Sequence, residues 1–186
     1  VILLAFVFSF GTTKADTNSD AMMFVFESVC LASHGSKEYI TQWANEKQLQ
    51  EVIGEDARKV FSGIRSNSKA WNIKAWWFKT EQAVVILEIY PAGGDACTVY
   101  SSTSDPIAVH QYIDALALRL KDKWPRTETV AEATKSGTFG NVRGRFIAFG
   151  TSEKPGKLYI NVVTEEKAGG LDYPYQAMIA AMFSRK

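Results

Sequence analysis

The sequence contains few of the residues on which metal and redox chemistry depend. Only two cysteines and two histidines occur among its 186 residues, too few for a four-ligand zinc site without carboxylates. It also lacks a nucleophile elbow (G-x-S-x-G), an H-E-x-x-H zinc motif, a Cys-x-x-Cys pair and an EF-hand loop. These absences lead us to expect no metal and no cofactor, and they assign no catalytic residue.

An excess of charge of one sign is missing as well. The 21 basic and 20 acidic residues leave a formal net charge of +1. Whole-chain attraction to nucleic acid or to an anionic membrane is therefore excluded as the basis of function, and we expect no nucleic-acid partner. No apolar run approaches the roughly 20 residues of a membrane-spanning helix, so no transmembrane anchor is expected in the mature chain.

Apolar side chains, by contrast, are plentiful. Hydrophobic residues make up 46% of the chain and include 11 Phe, 7 Tyr and 5 Trp, a composition that excludes intrinsic disorder. A chain of this length forms one domain with room for a tail. It buries roughly 70% of the surface of its unfolded state, so its core does not depend on a metal.

The amino terminus resembles an export signal. Residues 1–10 (VILLAFVFSF) form an apolar run broken only by Ser9, and the small residues Thr13 and Ala15 follow. We expect a signal peptide over residues 1–15, cut after Ala15, and a single domain over residues 16–186. The alternative is a buried strand or core helix at this end. Export predicts a periplasmic or secreted protein.

Export changes the interpretation of Cys30 and Cys97. An even number of cysteines in an oxidising compartment predicts a disulfide between them. Closing a loop of this length stabilises a protein by about 4 kcal/mol in the chain-entropy model. Two buried free thiols are the alternative.

The hydrophobic pattern predicts helices before and between groups of strands. Apolar residues at helical spacing define one face of a first helix: Met22, Val25, Phe26, Val29 and Cys30. Further helices are predicted over residues 37–53, 55–62, 105–124 and 173–185. The third of these starts at Asp105-Pro106, because proline suits the first helical position.

Alternating and β-branched segments predict about six strands. The predicted strands are residues 71–78, 83–90, 96–101, 127–134, 141–150 and 157–164. Short turns between consecutive strands favour antiparallel pairing. The predicted fold class is α+β: an antiparallel sheet in βββα-βββα order, packed with helices and preceded by an amino-terminal helical segment.

The two histidines lie in settings that a hydrolase uses. His110 and Asp114 are four residues apart on the long helix and can pair for acid–base chemistry. His34 lies between Ser33 and Ser36, which suggests a nucleophile and its base. The alternatives are a solvated pair on the helix surface and a loop in which Ser36 caps the next helix.

Residues 71–79 (WNIKAWWFK) interleave aromatic side chains with lysines. Such side chains bind sugars, bases or phosphate when they share an open face. If one face is open, Trp76 and Phe78, flanked by Lys74, form a candidate aromatic platform, and Trp77 then lies in the core. Packing against helices is the alternative, because alternation shows two faces without showing which is covered.

Residues 137–144 (GTFGNVRG) are rich in glycine but are not followed by the Lys-Ser/Thr of a phosphate-binding loop, so a hairpin is predicted. Arg143 and Arg145 share one face of the following strand. They are candidates for holding a carboxylate or a phosphate. A solvated strand face is the alternative.

Two short motifs carry a resemblance. Val29-Cys30-Leu31 closes the first helix, and residues 93–99 (GGDACTV) precede a tyrosine. With the export signal, they resemble small exported proteins of Gram-negative bacteria that have one cysteine near the mature amino terminus and one after a glycine turn. The resemblance implies a periplasmic address and a disulfide. It brings no catalytic residues.

Three functional hypotheses result. The leading one is a non-catalytic exported module that binds a protein in the cell envelope, such as an inhibitor or immunity protein. Its binding surface would be the Trp76 and Phe78 face or the loop at residues 137–140. The alternatives are a small-molecule or glycan binder that uses the aromatic strand, and an envelope hydrolase that uses His110 with Asp114 or His34.

Overall fold

The computed structural model covers most of the chain after residue 16. The described residues are 17–55, 74–78, 83–87, 89–90, 94–101, 103–137, 140–151, 157–167 and 175–184. Three predictions lie wholly or partly outside them: the signal peptide over residues 1–15, the helix over residues 55–62 beyond its first residue, and the candidate binding loop at residues 137–140 at positions 138 and 139. The described elements are nonetheless sufficient to define one continuous sheet and the helices packed on it.

Three α-helices occur in the described part of the chain. They are α1 (Thr17–Val25), α2 (Lys37–Glu46) and α3 (Pro106–Leu120). A π-helical segment, Phe26–Leu31, continues α1 without a break. The predicted starts of the second and third helices are confirmed, because both have a capping side chain in place.

The two caps satisfy backbone N–H groups that the first helical turn leaves without partners. The Ser36 hydroxyl accepts a hydrogen bond from the N–H of Tyr39 at 3.2 Å. The Asp105 carboxylate accepts one from the N–H of Ile107 at 2.8 Å. Pro106 follows at the first helical position, where its missing N–H costs nothing.

Nine strands are described, and they form one sheet. They are β1 (Gln50–Glu51), β2 (Lys74–Phe78), β3 (Ala83–Leu87), β4 (Ile89–Tyr90), β5 (Gly94–Ser101), β6 (Arg126–Gly137), β7 (Gly140–Gly150), β8 (Leu158–Glu165) and β9 (Ala177–Ser184). Their order is β1-β2-β3-β5-β9-β8-β7-β6, with β4 beside β5, and every pairing is antiparallel. The α+β class and the antiparallel sheet are confirmed, with more strands than the six predicted.

The strand register shows which side chains face the helices. Val99 on β5 pairs with Val85 on one side and with Ile179 on the other, and Ile179 pairs with Val162. Side chains directly opposite one another in a sheet point to the same face. Val99, Ile179 and Val162 are fully buried in the same core as the apolar face of α1. The helices therefore cover the face that carries this row.

The predicted disulfide is present. Cys30, in the π-helical segment, is bonded to Cys97 on β5, and their Cα atoms are 5.2 Å apart, within the usual range for a disulfide. Both residues are fully buried. The disulfide fastens the amino-terminal helical segment to the middle of the sheet, and the alternative of two free thiols is excluded.

The predicted final helix over residues 173–185 is wrong, because Ala177–Ser184 forms strand β9. β9 lies between β5 and β8 and pairs with both along its length. Alanine and methionine favour helices, but a central position in a sheet overrides so weak a preference. The βββα-βββα order therefore fails at its last element, and four strands follow α3.

The predicted helix over residues 37–53 is too long. It ends at Glu46, and Gln48 adopts a left-handed backbone with φ of 53°, which turns the chain. Gln50 and Glu51 then form β1 beside β2, and the N–H of Val52 donates to the carbonyl of Ala75 at 2.8 Å. Sheet pairing replaces the last turns of the predicted helix.

Among the described helices, none combines the length and the apolar character that crossing a membrane requires.

Candidate functional site

The aromatic platform is not open. Trp76 is 3% exposed and belongs to the core, because its register partner Val85 pairs with Val99 on the helix-covered face. Trp77 points to the opposite face and is half-buried. The hypothesis of an open platform requires Trp76 to be exposed, and the burial of Trp76 contradicts it, because alternation separates the two faces without identifying the one that the helices cover.

The other two platform residues lie beside α2. Phe78 is half-buried, and its ring centroid is 5.9 Å from that of Trp43 on α2. Lys74 is half-buried and lines a cleft of about 430 Å³ along α2. The remaining lining residues of this α2 cleft are Lys37, Glu38, Thr41, Gln42, Asn45 and Glu46. Apart from the half-buried Lys37 and Thr41, they are exposed, so the structure does not assemble the predicted platform.

The structure places the two histidines at opposite ends of the sheet. The His34 ring contacts Phe183 at 5.6 Å between centroids, and Phe183 pairs with Leu158 at the start of β8. His110 Nε2 lies 3.0 Å from the hydroxyl oxygen of Thr164, near the end of β8. A separation of six positions corresponds to roughly 20 Å of strand. His34 therefore does not act with His110.

His110 and Asp114 do not form the predicted pair, because Arg145 binds Asp114. Asp114 accepts a hydrogen bond from Arg145 at 2.7 Å, whereas His110 is directed at Thr164. His110 is 4% exposed, so it is not part of a solvated surface pair either. In the Ser33–Ser36 loop, Ser33 bonds to the carbonyl of Cys30 and Ser36 caps α2, which confirms the structural interpretation of that segment.

Arg143 and Arg145 share one face of β7, as predicted. It is the face that the helices cover, because Arg145 pairs with the buried Val162, and both arginines bind carboxylates of this protein. Arg143 donates to Glu132 through Nε at 3.1 Å and Nη2 at 2.7 Å. Arg145 is 11% exposed and links Asp114 on α3 to the sheet. The cluster connects the edge strand β6, its neighbour β7 and the helix above them.

Arg143 and His110 border a cleft of about 400 Å³ between the first turn of α3 and the adjoining ends of β6, β7 and β8. The residues that line this α3 cleft are Asp105, Pro106, Ile107, His110, Thr134, Asn141, Arg143, Thr164 and Glu166. Its volume lies within the range of sites that hold small molecules. Unlike the α2 cleft, it includes buried polar side chains.

The sheet register brings the polar lining together. Arg143 pairs with Thr134 on one side and with Thr164 on the other, so three strands contribute one row of polar side chains. The next row joins Asn141 to Glu166, whose backbone N–H donates to the Asn141 carbonyl at 3.2 Å. Sequence reasoning missed the threonines, Asn141 and Glu166, because only the register places them beside Arg143.

Glu166 is held in place by its neighbours. The Asn141 side-chain amide donates to its carboxylate at 2.8 Å, and this hydrogen bond lowers the pKa of Glu166. Gly140 lies directly beneath with φ of +131°, where a Cβ would come within 2.9 Å of Glu166 Cβ and Oε2. The absent side chain at position 140 thus makes room for the carboxylate. Glu166 consequently remains an anion at neutral pH.

His110 is neutral at physiological pH. Burial and, to a smaller extent, the positive charges of Arg143 and Arg145 lower its pKa from 6.5 to about 4. Its Nδ1 is buried and has no hydrogen-bond partner within the described part of the chain. A neutral imidazole beside the cleft can donate or accept a hydrogen bond, depending on its tautomer.

The buried neutral histidine predicts a specific loss of stability in acid. In the unfolded chain the imidazole titrates near pH 6.5, whereas in the folded protein it titrates near 4. Between these values the unfolded state binds more protons, so the free energy of unfolding falls as the pH falls. We expect about 2 kcal/mol of the free energy of unfolding to be lost through His110. This is less than the full pKa difference corresponds to, because the ring borders an open cleft. Urea unfolding at pH 7, 5.5 and 4 measures it.

His110→Gln tests whether His110 causes this loss, because the variant should flatten the dependence of the free energy of unfolding on pH between 6.5 and 4. His34→Asn is the matched control: His34 is exposed and has φ of 49°, a conformation that asparagine tolerates. The control should retain the slope of the unmodified protein. Equal slopes for the unmodified protein and His110→Gln would contradict the assignment.

Within the described ranges, no three His, Cys, Asp or Glu side chains are grouped so that they could hold a metal ion. Comparison with protein-family models, with curated proteins and with solved structures found no match to this chain.

Proposed function

We propose that this protein is an exported binding module that holds a small polar ligand in the α3 cleft. The observation that carries the proposal is the cleft's row of polar side chains, Thr134, Arg143 and Thr164, which is backed by the buried His110. Sites for small molecules combine a concave volume of this size with a few convergent polar groups.

The disulfide and the amino-terminal sequence support export. Cys30 and Cys97 are bonded inside the core, and structural disulfides persist in oxidising compartments. The apolar segment over residues 1–10, followed by Ala15, has the pattern of a secretory signal. Together they support a periplasmic or secreted address for the binding module.

Binding, rather than hydrolysis, is what the geometry favours. A hydrolase of this kind needs a histidine oriented by a carboxylate and directed at a nucleophile. In the structure Asp114 is paired with Arg145, and His34 lies at the far end of the sheet. Thr164 is the hydroxyl next to His110, but it belongs to a strand interior and is 2% exposed.

The test is a panel of small ligands added to the unmodified protein: amino acids, monosaccharides and dicarboxylates at millimolar concentration. Melting temperature and amide chemical shifts are measured for each. We expect one class to raise the melting temperature and to shift amides around the α3 cleft. Amides along the α2 cleft should not move.

A matched pair of variants locates the binding. Thr134→Phe places a ring in the cleft, and Thr129→Phe places the same ring on the same exposed strand outside it. Thr134→Phe should abolish the ligand-induced rise in melting temperature, and Thr129→Phe should retain it. The proposal is overturned if no class shifts the cleft amides, or if both variants respond like the unmodified protein.

The edge strand β6 supports a second candidate, a protein partner in the cell envelope. β6 is 12 residues long and lies at the end of the sheet, paired with β7 alone among the described strands. Exposed edge strands accept an added strand from another chain. A partner that protects β6 amides from hydrogen exchange, with no ligand found for the cleft, would favour this candidate.

A further inference from the structure

The α3 cleft carries charges of both signs. Arg143 supplies a guanidinium from β7, and Glu166 supplies a carboxylate from the end of β8. Asp105 adds a second carboxylate at the start of α3, where it caps the helix. His110, being neutral, adds no charge. The lining is therefore not a site for a simple anion, because acidic side chains outnumber the one cation.

Arg143 is oriented and retains donors for a ligand. Both of its contacts to Glu132 use one edge of the guanidinium, through Nε and Nη2. A guanidinium has five N–H donors, and its other edge is the fork that recognises carboxylates. Glu132 therefore holds the group in place without using its full capacity.

Glu166 lies at a fixed offset from Arg143. Asn141 and Glu166 are hydrogen-bonded two residues beyond the Arg143–Thr164 row, Glu166 just after the end of β8, and two residues correspond to about 7 Å along the strand direction. Asn141 and the space above Gly140 keep the carboxylate in position. A ligand with both an anionic and a cationic group can reach both partners.

The side of the cleft formed by α3 presents two apolar side chains. Pro106 and Ile107 form the first turn of α3 and line the cleft, and Ile107 is 66% exposed. An apolar side chain that is so exposed beside a polar row favours a ligand with its own apolar substituent.

We infer that the ligand of the α3 cleft is a zwitterion of the amino-acid type with an apolar side chain. Its carboxylate pairs with Arg143, its ammonium group with Glu166, and its side chain packs on Pro106 and Ile107. This assignment rests on the proposed function of the cleft and specifies the ligand class.

Three probes separate the contributions of the two charges: leucine, N-acetylleucine, which lacks the ammonium group, and leucinamide, which lacks the carboxylate. Isothermal titration calorimetry measures their affinities for the unmodified protein at pH 7. We expect leucine to bind at least about tenfold more tightly than either analogue, since each analogue loses a charge-assisted contact.

Variants assign each charge to its partner. Arg143→Gln should weaken the binding of leucine about tenfold and leave the affinity for leucinamide unchanged. Glu166→Gln should weaken the binding of leucine by a similar factor and leave the affinity for N-acetylleucine unchanged. Both side chains lie at the surface, so folding should survive. Lys74→Gln, in the α2 cleft, is the control that should change nothing.

The outcomes distinguish this inference from the function on which it rests. If either analogue binds as tightly as leucine, or if a sugar or dicarboxylate shifts the cleft amides while leucine does not, the zwitterion is wrong and the binding module stands. If no member of the panel binds, both fail.

Discussion

Replacing Cys30 and Cys97 with alanine is expected to lower the free energy of unfolding by about 4 kcal/mol. The two cysteines are 67 residues apart in the chain, so the bond removes a large share of the freedom of the unfolded state. Alanine is chosen because both positions are fully buried, where a serine hydroxyl would add its own cost. Urea unfolding followed by circular dichroism measures the change.

The single variants supply the control. Either Cys30→Ala or Cys97→Ala opens the loop, so each should lose nearly as much stability as the double variant, and the effects should not add. A reducing agent should bring the unmodified protein close to the variants. Equal urea midpoints for the unmodified and double-variant proteins, or additive single effects, would contradict a stabilising disulfide.

The helical elements near the amino terminus could be predicted because their signals are local. The apolar face from Met22 to Cys30 follows helical spacing, and its members are completely buried. The caps at Ser36 and Asp105 are side-chain hydrogen bonds to residues two or three positions further along. Such features depend on neighbours in the chain and do not depend on the rest of the fold.

The last strand could not be predicted in this way. The β9 sequence, AMIAAMFS, is composed largely of helix-forming residues, and its strand form results from pairing with β5 and β8. Its small side chains, Ala177 and Ala181, fit the crowded centre of the helix-covered face, where both are fully buried. That environment is set by segments distant in sequence.

The candidate site also combines features that local sequence predicts with features that distant segments determine. Arg143 and Arg145 could be placed on one face of a strand, because their spacing of two matches the strand period. Their partners could not be predicted: Glu132 and Asp114 belong to β6 and α3. The threonines of the cleft have no sequence signal of their own, and only the register of three strands sets them beside Arg143.

The two adjacent tryptophans of β2 show how one missing piece of information reverses a prediction. Alternation places Trp76 and Trp77 on opposite faces of the sheet, but it does not identify the face that the helices cover. The pairing of Val85 with both Trp76 and Val99 identifies it. Trp76 therefore belongs to the core, on the face of the sheet that carries the disulfide.

Trp76→Ala is accordingly expected to lower the free energy of unfolding by about 3 to 5 kcal/mol, the usual cost of removing a large aromatic side chain from a core. Trp76 is 3% exposed, and removing a large side chain from a closely packed interior leaves a cavity. Urea unfolding measures the change.

Trp77→Ala is the matched control, since it removes the same side chain from the adjacent position in the same strand. Trp77 is half-buried, so we expect its loss to cost less than half as much. Both variants should retain the far-ultraviolet circular dichroism of the folded protein. If Trp77→Ala is the more destabilising of the two, the helices cover the other face of β2, and the aromatic platform with Trp76 and Phe78 becomes accessible again as a binding surface.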